Sequence, residues 1–255
     1  MLWIQEVGQG PPLVLLHPVG TSGSIWWQHL PRLSQRFHVL AVDLSGHGRS
    51  PKPKQPLSIE GMAADLYQTL QKQSLSPAHF VGLSLGGMVA QMLVVKHPSS
   101  IASLTLCDTI CEVTPDAVKI LEQRAKAVEQ GGMTAIVKPT LERWFSPGFS
   151  DNHSDVVAKV EKLLLEADPA INAQTWRAIA NLNIISRLKS APHIPTLVVN
   201  GSLDTAIPPD VGKRLCELFD ASLLELSGCA HMAPVEAPEE FMDYLESFLS
   251  GIKPG

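Results

Sequence analysis

Three residues far apart in the chain have the types and surroundings that nucleophilic acyl chemistry needs. Ser84 sits in GLSLGG (82–87), after the apolar run HFV and before MVAQMLVV. A serine among glycines at such a junction fits a tight turn. It also fits the G-x-S-x-G elbow, in which a strained strand-to-helix turn lifts the hydroxyl above a sheet. Serine is a weak nucleophile at its own pKa and needs a base, itself held in one tautomer by an acid. PTLVVNGSLD ends at Asp204, and GCAHMAPVEAPEEF puts His231 in a loop after SLLELSG and ahead of a final helical pattern. Asp108, which closes SLTLCD, is a second candidate for the acid. Asp204 is preferred because it gives the chain order serine, acid, histidine.

Acyl transfer also needs donors aimed at the developing oxyanion. The residue after the nucleophile supplies one, the backbone N–H of Leu85. The loop HPVGTSG, which follows the early run PLVLLH, should supply the other; Pro18 has no N–H, so Val19 is the candidate. The remaining histidines, His17, His47 and His79 among them, read as structural or surface residues. GHGRS (46–50) reads as a structural loop near the site mouth, and Cys229 as a packed neighbour of His231.

These residues must be positioned by the elements around them. Strand-length apolar runs recur at 12–17, 38–44, 79–84, 103–108, 195–201 and 222–228. Runs that are apolar throughout suggest a parallel sheet covered on both faces. Helical patterns alternate with them: Ser58 is a candidate N-cap for 58–75, where Met62, Leu66 and Leu70 line one face, and 237–251 behaves likewise. The expectation is an α/β fold with a mostly parallel central sheet and helices on both faces. From 112 to 188 the pattern is helical almost without interruption, punctuated by Gly131, Gly132, Pro147, Gly148 and Pro169. This stretch is expected to be a helical cap over a core made of 1–111 and 189–255.

A chain of 255 residues, 45% hydrophobic and 18% charged, can build one sizeable core plus an insertion. The net charge of −5, with both signs interspersed, announces no nucleic-acid surface. Neither a basic and apolar leader nor a membrane-length apolar run is read, so the expectation is a cytoplasmic protein with no membrane partner. Four cysteines and nine histidines lack metal-ligand spacing, so no metal is expected, and the cysteines read as buried thiols. A homo-oligomer is compatible with the composition.

DLSGHGRS, VGLSLGGMVAQ, PTLVVNGSLDTAIPP and CAHMAPVEAPEEF together resemble the signature segments of the α/β-hydrolase superfamily, in their usual order. VGTSGSIWWQHLPRL, SLTLCDT and TLERWFSPGF are most similar to the 3-oxoadipate enol-lactonases within it. The resemblance implies an α/β-hydrolase fold and a cofactor-free hydrolase of small carboxylic esters or lactones. Ser84 would be the nucleophile, His231 the base and Asp204 the acid, with Val19 and Leu85 as oxyanion donors. An enol-lactone carries a carboxylate, so a cap arginine, Arg143 or Arg177, would be its partner. Trp26, Trp144 and Trp176 are candidates for the pocket wall, although core packing is the commoner role of tryptophan. The same triad also serves perhydrolases, haloperoxidases and C–C bond hydrolases, and the fold occurs in non-catalytic receptors.

Overall fold

The computed structural model describes residues 1–252. The apolar runs become strands β1 (Ile4–Val7), β2 (Pro12–Leu16), β3 (His38–Val42), β4 (Ala78–Leu83), β5 (Ile101–Cys107), β6 (Thr196–Gly201) and β7 (Ser222–Leu226). They form one sheet in the order β1-β3-β2-β4-β5-β6-β7, parallel at every pairing except β1 with β3. The predicted α/β architecture with a mostly parallel sheet is therefore the observed one. β1 was not predicted. Its sequence IQEV is a half-buried edge strand that covers too little apolar area to leave a continuous hydrophobic run.

The helices are α1 (Leu30–Leu33), α2 (Ile59–Lys72), α3 (Leu85–Lys96), α4 (Pro115–Gly131), α5 (Thr134–Trp144), α6 (Pro147–Asn152), α7 (Ser154–Leu165), α8 (Pro169–Ala180), α9 (Ile185–Lys189), α10 (Pro209–Phe219), α11 (Ala233–Glu236) and α12 (Pro238–Ser250). In α2 the Ser58 hydroxyl accepts the Gly61 N–H at 3.0 Å, which satisfies one of the first-turn donors. Ile59, Met62, Ala63, Leu66 and Leu70 then turn one face of that helix inward. Full burial of Leu66 contributes about 2 kcal/mol. α3 is buried nearly all round, because it packs against β2, β4 and β5 beneath and α2 and α9 beside it. Among the described residues no helix is long and apolar enough to cross a membrane.

Helices α4 to α8 are inserted between β5 and β6. The two ends of the insertion meet in a short neck: Val113 donates its N–H to the Leu182 carbonyl and Ile184 donates to that of Cys111, each at 3.0 Å. α9, which the sequence reading places within 112–188, follows this neck and packs against α3. At several carboxyl ends the observed strands also stop one or two residues before the predicted runs do. Ser84 and Asp108 therefore lie just outside the sheet, at the edge where open parallel sheets bind ligands.

Candidate active site

Ser84 connects β4 to α3 with φ +52° and ψ −110°, outside the regions an L-residue ordinarily occupies. Holding such a residue costs on the order of 1–3 kcal/mol, so its surroundings must fix it. The Ser84 N–H donates to the Cys107 carbonyl at 2.9 Å, and its own carbonyl accepts the Thr109 hydroxyl at 2.6 Å. Two glycines let the chains approach closely enough. A Cβ on Gly82 would stand 2.5 Å from the Gly86 carbonyl carbon, and one on Gly86 would stand 2.3 Å from the Leu16 carbonyl oxygen. Leu85 opens α3, so its N–H is one of the first-turn donors without an acceptor inside the helix, at the positive end of the helix dipole.

His231 follows β7 and Asp204 follows β6; both are buried. The His231 Nδ1 and Asp204 Oδ2 lie 2.8 Å apart. The other oxygen of that carboxylate accepts the Ala206 and Ile207 N–H groups at 2.7 and 2.9 Å, which fixes its plane. With Nδ1 donating to a carboxylate, Nε2 carries the lone pair. Asp108 does something else. Its Oδ1 accepts the Gly201 N–H at 2.9 Å and its Oδ2 the Ala233 N–H at 3.3 Å. Complete burial, with the Asp204 charge adding to it, pushes the Asp108 carboxyl well above the usual carboxylate range.

Ser84, His231 and Val19 open onto one cavity of about 450 Å³, walled by Met88 and Ile110 from the sheet side and by Trp144, Trp176 and Ile179 from the insertion. Arg143, half-buried, lines it as well, and its buried Nε has no hydrogen-bond partner among the described residues. Burial lowers the Arg143 pKa, and the Asp204 charge works in the opposite sense. A second arginine, Arg124 on α4, also lines the cavity and sits 5.1 Å from the centre of the Trp176 ring. Burial and the Arg143 charge bring Arg124 down to about 10. The sequence reading missed it. Ala117, Ile120, Leu121 and Arg124 recur at helical spacing along α4, and a charge ending an otherwise apolar stripe was the available signal.

Two expected pocket residues are elsewhere. Arg177 on α8 bonds Glu122 at 3.1 Å and Glu129 at 2.6 Å, both on α4, so its charge is already answered outside the cavity. Trp26 is almost fully buried in the short turn Gly23–Trp26, edge-on to His29 at 5.3 Å, and belongs to the core beneath the site.

A strained serine elbow at the carboxyl edge of a mostly parallel sheet, with a helical insertion above it, defines a class. The profile of the alpha/beta hydrolase fold family matches residues 11–238, and the chain belongs to that family of hydrolases. The chain is 28% identical over 239 residues to a 3-oxoadipate enol-lactonase of Acinetobacter baylyi, covering 94% of this chain and 88% of that protein. It is 29% identical over 255 residues to a pimeloyl-[acyl-carrier protein] methyl ester esterase of Aeromonas hydrophila, covering 96% and 98%. Among solved structures it is similar to the enol-lactonase from Burkholderia xenovorans, with TM-score 0.92 and 28% identity over 98% of this chain and 96% of that one.

Proposed function

We propose that this protein hydrolyses small carboxylic esters or lactones through an acyl-enzyme on Ser84. The observation that carries the reading is His231, paired with Asp204 at 2.8 Å, on the same cavity as a serine held at positive φ. His231 Nε2 takes the Ser84 hydroxyl proton as Oγ attacks the carbonyl carbon. The carbonyl oxygen becomes an oxyanion facing the Leu85 and Val19 N–H groups. Collapse expels the alkoxide or enolate, which receives the proton from His231. In a lactone this leaving group stays attached to the acyl chain. Water, deprotonated by His231, then attacks the acyl carbon and releases Ser84. Asp204 keeps the imidazole in the required tautomer and stabilises its cationic form.

Helices α4 to α8 act as the cap that selects the substrate. Arg143 and Arg124 both line the cavity, and among the described residues the buried Arg143 Nε has no hydrogen-bond partner, which favours a substrate with a carboxylate away from the scissile bond. That chemistry suits 3-oxoadipate enol-lactone, the substrate in the name of the Acinetobacter relative. A fluorophosphonate probe, beside a Ser84→Ala control, tests the nucleophile. Labelling confined to Ser84 and turnover abolished in a folded Ser84→Ala variant are expected. Retained hydrolysis in that variant would remove the reading, and assays with enol-lactones and p-nitrophenyl esters then rank the substrates.

A further inference from the structure

Both neighbours of His231 in the chain are tied to one short stretch of the insertion. Met232 donates its N–H to the Trp144 carbonyl at 3.0 Å. On the other side, Ala230 donates its N–H to Glu236 Oε1 at 2.7 Å. The second oxygen of that carboxylate accepts the Ser146 N–H at 3.1 Å and the Ser146 hydroxyl at 2.6 Å. Trp144 ends α5, and Ser146 caps α6 by accepting the Phe149 N–H at 3.3 Å. The Trp144 ring itself lines the cavity, with its centre 6.0 Å from that of the His231 imidazole.

A carboxylate that merely closed the turn from Ala230 to Glu236 would need one oxygen. Glu236 spends the other on a residue 90 positions away, two places after Trp144, whose ring lines the cavity. The histidine loop contains only the single helical turn α11, so it has little stiffness of its own. Its other anchors include Asp204 on the imidazole, Asp108 on the Ala233 N–H, the Leu203 N–H on the Cys229 carbonyl and His29 Nε2 on the Pro234 carbonyl, all outside the insertion. Through Glu236 the loop is referred to the insertion as well.

Given the Ser84 acyl-enzyme reading above, we propose that Glu236 is a positioning residue for His231. It holds the histidine loop in register with the 144–146 segment, which carries the Trp144 ring into the cavity, so that the imidazole faces the Ser84 hydroxyl when a substrate is seated there. Glu236 lies outside the cavity lining and touches no reacting atom. Its effect runs through the Ala230 and Ser146 backbones.

The test measures the rate of Ser84 phosphonylation by a fluorophosphonate, together with kcat and KM for a neutral ester. The proteins are wild type, Glu236→Gln, Ser146→Ala, Ser146→Thr and the Glu236→Gln/Ser146→Ala pair. Glutamine keeps the size of the side chain but turns an N–H donor either toward the Ala230 N–H or toward the Ser146 N–H and hydroxyl, donors that the carboxylate accepts from. Glu236→Gln should slow phosphonylation and kcat by about 10-fold, the scale of a sub-ångström misplacement of a catalytic group. KM should stay within about two-fold, because substrate binding is untouched. Ser146→Ala should lose less, Ser146→Thr should restore the rate, and the double variant should be no slower than Glu236→Gln, because both changes break one contact.

A merely structural role would lower the melting temperature without dividing kcat from KM. Wild-type rates in a folded Glu236→Gln variant, or a loss in KM alone, overturn the proposal. If Glu236→Gln does not fold, Ser146→Ala decides: slowed kcat at unchanged KM supports the proposal, and unchanged kcat overturns it. Absence of Ser84 labelling in wild type would instead remove the acyl-enzyme reading, and the proposal with it.

Discussion

His231 and Asp204 are 27 residues apart in sequence, and their Nδ1 and Oδ2 atoms meet at 2.8 Å in a buried pair. Asp108, equally buried and also just past the end of a strand, spends both oxygens on the backbone N–H groups of Gly201 and Ala233. The two aspartates should therefore respond differently to the same substitution. Asp204→Asn should cost about 10⁴-fold in kcat with little loss of stability, the scale seen when a triad acid becomes an amide. Asp108→Asn should leave kcat within about 10-fold and lower stability by about 1–3 kcal/mol, because an amide N–H would face the Ala233 N–H. Steady-state kinetics and urea titration of both variants check the contrast.

Arg143 and Arg124 line the cavity, whereas Arg177 is paired with Glu122 and Glu129. Arg143→Met and Arg124→Met should raise KM for a carboxylate-bearing ester by about 10-fold to 100-fold, the value of a hydrogen bond to a charged group. A neutral ester of similar size should be affected little. Arg177→Met should leave both substrates unchanged, because its ion pairs are solvent-exposed and screened. Equal effects of the three substitutions on the two esters would contradict this assignment.

Gly86 tests the elbow from behind. A methyl group there would meet the Leu16 carbonyl oxygen at 2.3 Å, and since that oxygen belongs to the backbone and cannot swing aside, α3 must move away from β2. Gly86→Ala should cost about 1–3 kcal/mol as an overpacked core substitution. It should also slow fluorophosphonate labelling, because the Leu85 N–H shifts with the helix. Thermal unfolding and labelling rates measured on the same preparation test both effects.

Three histidines should make the fold sensitive to acid. Burial holds His17 and His29 down to about 4 and, with the His17 charge adding to it, His47 to about 3. In the unfolded chain each titrates near its ordinary value of about 6.5. As pH falls below that value, the unfolded state binds up to three protons that the folded state does not, so stability falls with pH. The slope from these groups should approach roughly 4 kcal/mol per pH unit around pH 5 and fade near pH 7. Urea midpoints across pH 4.5–7.5 measure it, and His47→Gln should remove about a third of it.

Much of this architecture is legible in the sequence for a physical reason. Central strands of a sheet covered on both faces must be apolar throughout, so β2, β4, β5 and β6 stand out as runs, and an elbow needs glycines where chains touch. Edge strand β1 and helix α10 escaped notice because partly solvated elements carry mixed residues. The serine, the histidine and a pair of candidate acids follow from their places after successive strands.

The sequence by itself determined the layered fold, the strand ends that carry Ser84, Asp204 and His231, and the helical insertion between β5 and β6. Tertiary structure alone decided which aspartate meets the imidazole, which arginines line the cavity, and that Glu236 reaches Ser146. Local pattern reports whether a residue is buried and at what period. The direction of a carboxylate or guanidinium depends on what a distant segment places opposite it, as Glu122 and Glu129 do for Arg177.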